Sequence, residues 1–166
     1  MESFLNKISE YNLFNYLLPG FVFIYFVEKQ YAVAVLHEQI LVNLFVAYFI
    51  GMVISRIGSV FIEKFYKFLR IVKYAEYKGY LVAEKEDEKL KTLVQENNTY
   101  RTFVSLFIIL NAFVIVFYIK NNFQYDQSYF DYLNAVMLIL FTLAYRKQTT
   151  FIRKRVERSL AKTDSL

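Results

Sequence analysis

Cysteine is absent from the chain, which excludes disulfides and thiolate metal sites, although that absence says nothing of compartment. A single histidine, His37, leaves no set for His-based zinc chemistry, and no Ser, Asp or Cys stands near it in a catalytic arrangement. Only one proline and four glycines interrupt 166 residues, so turns are few and long helices are the natural use of the length. No calcium loop is written either: Glu84, Glu86, Asp87 and Glu88 alternate with Lys85 and Lys89 without the required glycine and ligand spacing. That cluster reads as a solvated face with i, i+4 ion pairs, or as a docking site for a soluble partner. With no acid, base or nucleophile pair in its apolar stretches, the chain is not expected to be an enzyme or to hold a cofactor. A cleavable leader is not expected: Lys7 is the one basic residue before the first apolar run, and no small-residue cleavage site follows.

What the chain has in excess is apolar surface. Hydrophobic residues make up 57% and aromatics 20%, more than a soluble fold this small can bury. Four apolar stretches stand out, at about residues 13–27, 40–62, 103–119 and 129–145, against roughly 17 to 25 residues for a helix that crosses the hydrocarbon core. The expected fold is therefore all-α: one polytopic membrane domain over residues 1–166, with four transmembrane helices and a helical cytoplasmic extension. Phe4, Ile8 and Tyr11 make one apolar stripe, which predicts a short helix on the inner membrane surface. Pro19 and Gly20 then predict a kink, or a restart, within the first span.

The net charge of +5 is unevenly spread. Nine basic residues lie between Glu63 and Arg101, and seven more from Arg146 onward, whereas Lys29 and Lys120 stand alone in the other two connections. Since cytoplasmic loops retain positive charge, both termini and the 63–101 segment are expected inside a bacterial inner membrane. Tyr118, Tyr125, Tyr129 and Tyr132 then mark the outer headgroup zone, and Phe65, Tyr66 and Phe68 the inner one.

Phe65, Phe68, Leu69 and Val72 continue the helical period of the second stretch, which predicts a stalk from Ile40 to about Lys78, roughly 58 Å long. Gly79 would end it, Ala83 to Glu96 would return as a charged helix, and Asn97 and Asn98 would break that helix and cap the third span. This makes 63–101 a cytoplasmic helical hairpin and 146–166 a basic tail, helical through Leu160.

Ala47, Gly51, Ser55 and Ser59 recur every four residues, a small-residue strip that serves helix packing within the bundle or an oligomer interface. Arg56 is the one charge between Ile40 and Ile62; it either snorkels to the inner headgroups or lines an inner vestibule or phosphate and lipid site. Asn43, Asn111 and Asn134, with Thr142, are polar groups within apolar stretches, read as interhelical glue before pore lining. Arg153, Lys154, Arg155 and Arg158 directly follow the last span and are expected to contact anionic lipid. Nucleic acid is not an expected partner, because Phe151 is the only stacking aromatic among those cations.

Three stretches, YNLFNYLLPG (Tyr11 to Gly20), GMVISRIGS (Gly51 to Ser59) and NNTYRT (Asn97 to Thr102), together resemble small four-span bacterial membrane proteins of anti-phage defence, such as the membrane subunit of Kiwa or membrane effectors of nucleotide-signalled systems. The likeness covers about the first two thirds of the chain. It implies a homo-oligomer, taken as a tetramer, that senses infection or perturbs the membrane, with pore formation an option. No sensor domain is expected after the last span, which favours a separate cytoplasmic protein partner over direct nucleotide sensing. The alternative is a membrane anchor for a soluble enzyme, without conduction. A holin-like lysis protein fits the size but not the patterned middle segment.

Overall fold

The structure, a computed structural model, describes residues 10–31, 34–120 and 129–163. The surface helix expected around Phe4 and Ile8, and the boundary position of Tyr125, lie outside them. The described residues are largely helical and contain no strand. Helix α1 covers residues 10–31, α2 Ile40–Phe68, α3 Tyr77–Glu86, α4 Lys89–Lys120 and α5 Tyr129–Thr163.

Pro19 does not restart α1. The turn before it, Leu13–Leu17, widens to π geometry, closed by the Leu18 N–H on the Leu13 carbonyl. Proline has no N–H for the carbonyl four residues back, and the wider turn relieves the clash between its ring and that carbonyl. The same geometry recurs in α2 at Gly58–Ile62. Between α1 and α2 the connection is held by side chains. Glu28 accepts the N–H groups of Val35 (2.8 Å) and Leu36 (2.7 Å), while Asn43 accepts from the His37 N–H (2.7 Å) and donates to its carbonyl (2.8 Å). Asn43 is therefore a loop staple at the start of α2, not glue between spans.

The stalk expected to reach Lys78 ends at Phe68. There the chain reverses through a Schellman motif, with Arg70 N–H on Lys67 O (3.0 Å) and Ile71 N–H on Tyr66 O (2.9 Å). Arg70 takes the left-handed conformation (φ 57°) that glycine usually supplies. The reversal lets Val72 fold back beneath Ile62, Tyr66, Val104 and Tyr145. Its helical spacing after Leu69 was thus a signal of burial, carried by a turn and not by more helix. Gly79 is no terminator: it sits in the first turn of α3, where an added Cβ would lie 2.9 Å from Leu160 Cδ1.

Asn97 and Asn98 do not break α4, which runs unbroken for 32 residues, roughly 48 Å. Asn97 is buried, and its oxygen accepts from the Thr149 hydroxyl of α5 (3.0 Å), so it does not compete for its own backbone. Helix α5 runs 35 residues without interruption, roughly 52 Å.

The four long helices enclose an apolar core of Phe26, Ile54, Leu106, Phe107, Leu110 and Val114, closed from the α5 side by Met137, Leu138 and Phe141. Beyond it, at the end where α2 stops and α4 starts, α3 lies on the extension of α5 around Ala83, Leu90, Ile152 and Val156. Large apolar side chains also cover the outside of the long helices: Phe45, Phe49 and Phe61 on α2, Ile115 and Val116 on α4, and Val136, Ile139 and Leu143 on α5 are all exposed. An apolar exterior of this extent marks contact with lipid or protein rather than water.

Among the described residues two helices, α2 and α4, are long and apolar enough to cross a membrane. The expectation of four such helices reduces to two by this measure. The stretch in α1 carries Asn15 and Pro19, with Asn12 just before it, and that in α5 carries Asp131 and Asn134, which dilute their apolar character.

Candidate functional site

The small-residue strip of α2 is occupied within the chain. Ala47, Gly51 and Ser55 are buried. A Cβ on Gly51 would stand 1.7 Å from the Tyr16 carbonyl oxygen, and one on Gly20 would stand 1.8 Å from that of Ala47. The backbones of α1 and α2 therefore touch twice, a separation that only glycine permits at those points. Ser59, at the end of the strip, is half-buried and donates to the Arg56 carbonyl (3.0 Å).

This close approach brings polar side chains of three helices to one point. The Thr102 hydroxyl of α4 lies 2.7 Å from Asn15 Oδ1, 3.0 Å from Ser55 Oγ and 3.0 Å from the Asn98 carbonyl oxygen. Asn15, carried on the π turn of α1, donates to Ser55 Oγ (3.3 Å) and to the Tyr11 hydroxyl (3.2 Å). One turn on, Ser105 donates to the Ile54 carbonyl (3.0 Å). Asn15, Thr102 and Ser105 are each at most 1% exposed. A buried network of this kind, nearly closed on itself, fixes register among helices that apolar contacts alone would leave free to slide. Asn15, Ser55 and Thr102 belong one each to the three distinctive sequence stretches. Sequence reasoning singled out Ser55 only as small and passed over Asn15 and Thr102. A signal was there: Asn15 falls inside the first apolar stretch, and Thr102 stands one helical turn from Ser105 at the edge of the third.

Beside this junction, toward α3, lies a charged cluster. Glu63 accepts from Arg101 Nη1 (2.5 Å) and from Lys67 Nζ (2.6 Å). Lys67 also sits 4.2 Å from the ring centroid of Tyr74, a cation–π contact. The Tyr74 hydroxyl is hydrogen-bonded to that of Tyr145, and the Tyr66 hydroxyl to Thr142 Oγ1 at 2.9 Å. Thr142 is thereby placed as interhelical glue. The cluster forms one wall of a cavity of about 350 Å³ whose other walls include Tyr77, Tyr80, Asn97, Thr149 and Ile152. Burial, followed by the hydrogen bond it donates to Glu84 (2.9 Å), pushes the Tyr80 phenol up to about 12, so it stays a neutral donor at every physiological pH. Neither Glu63 nor Arg101 was singled out from the sequence. Glu63 counted only as the edge of a span, and 38 residues separate it from its partner.

The remaining candidates do not converge. Arg56 is exposed on the outer face of α2, in a shallow depression formed with Met52, Val53, Ile57, Val60 and Phe61. It lines no vestibule within a single copy. Asn111 donates to the carbonyl of Phe107 in its own helix (2.7 Å) and so glues nothing across helices. Asn134 is buried, and its amide nitrogen has no hydrogen-bond partner among the described residues. Of the four tail cations, Arg155 is engaged with Asp87 through two hydrogen bonds, one of them Nη2 to Oδ1 at 3.1 Å, and Arg153 lies 3.7 Å from Glu157. Lys154 and Arg158 are exposed. The Asp87–Arg155 pair joins the start of α4 to the end of α5, which is why that arginine is not left for lipid. The Arg155 guanidinium holds the Asp87 carboxyl below the usual carboxylate range.

Comparison of the chain with protein-family models, with curated proteins and with solved structures finds no match.

Proposed function

We propose that this chain is a non-enzymatic, integral membrane component that crosses a bacterial inner membrane four times and relays a cytoplasmic signal or partner contact to its membrane bundle. The observation that carries this reading is that the long helices wear large apolar side chains on their outside, while the charged cluster and the cavity gather at one end of the same body, where α3 lies. Helices α1 and α5 lie against the same core as α2 and α4, which supports counting them as crossings despite their polar residues. Buried polar groups within a bundle are tolerated when hydrogen-bonded to a neighbouring helix, as Asn15 is.

The reading includes a homo-oligomer, taken as a tetramer, of the anti-phage defence type that the three sequence stretches resemble, with anionic lipid at Lys154 and Arg158. Arg56 supports a further contact. A helical Cβ tilts toward the helix N-terminus, so in α2 this side chain sets out away from the charged end and is poorly placed to snorkel back to it. A second copy, or a lipid phosphate, relieves the cost of leaving it in an apolar setting. Co-purification tests the proposal: particles in lipid nanodiscs are expected to contain several copies, and a monomer that captures no partner would defeat it.

A second reading, an anchor for a soluble enzyme that never conducts, is favoured by the closed core. Phe26, Ile54, Leu106 and Leu110 fill the centre of the bundle among the described residues. Ion flux in reconstituted vesicles separates the two readings, since a scaffold gives none under any trigger.

A further inference from the structure

The cavity between α2, α3, α4 and α5 has more hydrogen-bond donors than acceptors left over. Asn97 is 3% exposed; its oxygen is taken by Thr149, and among the described residues its amide nitrogen has no acceptor. Both oxygens of Glu63 are committed, to Lys67 and to Arg101, and the Lys67 ammonium keeps further donors. Glu84, a further carboxylate nearby, accepts from Tyr80 and does not line the space. The spare amide N–H of Asn97 and the remaining donors of the Lys67 ammonium call for an acceptor with negative charge.

The opposite walls are of a different kind. Tyr77 and Tyr80 line it with Ile152 and Val94, and these favour a flat apolar body. At about 350 Å³ the space lies within the range of small-molecule sites.

We infer that this cavity binds a small oxyanion, a phosphate or carboxylate, carried on a flat ring, with the anion toward Lys67 and Asn97 and the ring beside Tyr77 and Tyr80. The site is independent of how many helices cross a membrane. The cavity touches every element at the charged end, and Asn98 in its lining accepts from the Thr102 hydroxyl at its carbonyl, which links it to the junction. The anion has two sources, a lipid headgroup at the membrane surface or a soluble ligand.

The full chain in phosphatidylcholine nanodiscs, titrated with 4-fluorophenyl phosphate and followed by fluorine NMR line width, tests this. Broadening is expected with the phosphate probe and not with neutral 4-fluorobenzyl alcohol. Asn97→Asp turns the spare donor into an acceptor and is expected to weaken binding about tenfold or more, a difference of about 1.4 kcal/mol. Lys67→Gln and Tyr77→Ala, at exposed positions, are expected to weaken it as well, and they serve should Asn97→Asp fail to fold. Equal broadening by both probes, or binding unaltered in folded variants, overturns the inference, as does the absence of any broadening. Repetition in phosphatidylglycerol discs identifies the source while upholding the site: loss of the probe signal assigns the anion to lipid, and its persistence assigns it to a soluble ligand.

Discussion

Replacing Thr102 with valine removes one hydroxyl and keeps the side-chain shape, so it measures the polar junction alone. Thr102 is fully buried, and its hydroxyl lies within 3.0 Å of both Asn15 Oδ1 and Ser55 Oγ. Without it the Asn15 oxygen, on a residue 1% exposed, loses its partner and has no route to water. A buried polar atom left unsatisfied costs about 1–3 kcal/mol, whereas hydrogen bonds between membrane helices average about 0.6 and reach about 1.7 kcal/mol. The orphaned Asn15 oxygen, with the contact to Ser55 lost beside it, places Thr102→Val near the upper membrane figure, at about 1.5 kcal/mol. Equilibrium unfolding in mixed dodecyl sulfate micelles reads this directly. Asn15→Leu combined with Thr102→Val should cost about 1 kcal/mol less than the two single losses added, because each single change already breaks the same bond. A variant within about 0.3 kcal/mol of wild type, or strictly additive costs, would refute the claim that these residues act as one network.

Gly51→Ala should be far more damaging, by about 3 kcal/mol, because the new methyl meets the Tyr16 backbone and α1 must lift away; the same unfolding assay shows it. Gly79→Ala meets only the movable end of Leu160 and should cost under about 1 kcal/mol. Arg70→Gly should stabilise the chain by about 1 kcal/mol, since it relieves a left-handed residue in an exposed turn, and a lowered midpoint would contradict the Schellman assignment. The Asp87 carboxyl titrates lower when folded than when unfolded, so its pairing with Arg155 supports the fold above the unfolded value of about 3.9 and is lost as pH falls through the lower folded value. Amide exchange in α3 should therefore accelerate only below about pH 4, and Asp87→Asn should abolish that step.

The helices were legible because long apolar runs with so few glycines and a single proline leave few other uses for the chain. Ala47, Gly51 and Ser55 were legible as a contact strip, but not its partner, since a four-residue repeat says that something comes close without saying what. The end of α2 was misread because Val72 keeps helical spacing while being buried through a reversal at Arg70, a residue that does not advertise a left-handed turn. Asn97 was misread as a helix breaker because its partner, Thr149, lies 52 residues away. The cavity was out of reach for the same reason: Lys67, Tyr77, Asn97 and Thr149 share no local pattern, and only the meeting of four helices puts them together. Arg155 counted as one more tail cation until Asp87 was placed beside it.

Sidedness is the most direct test of the central claim that the apolar belt lies in a bilayer with both parts of the charged end on one face. The chain has no cysteine, so single cysteines report without background. Lys85→Cys and Lys154→Cys should react with a membrane-impermeant maleimide only after the inner face is opened, and Gln39→Cys should react in intact spheroplasts. Labelling of Lys85→Cys and Lys154→Cys from opposite faces, or a chain that stays dissolved without detergent, would contradict the account.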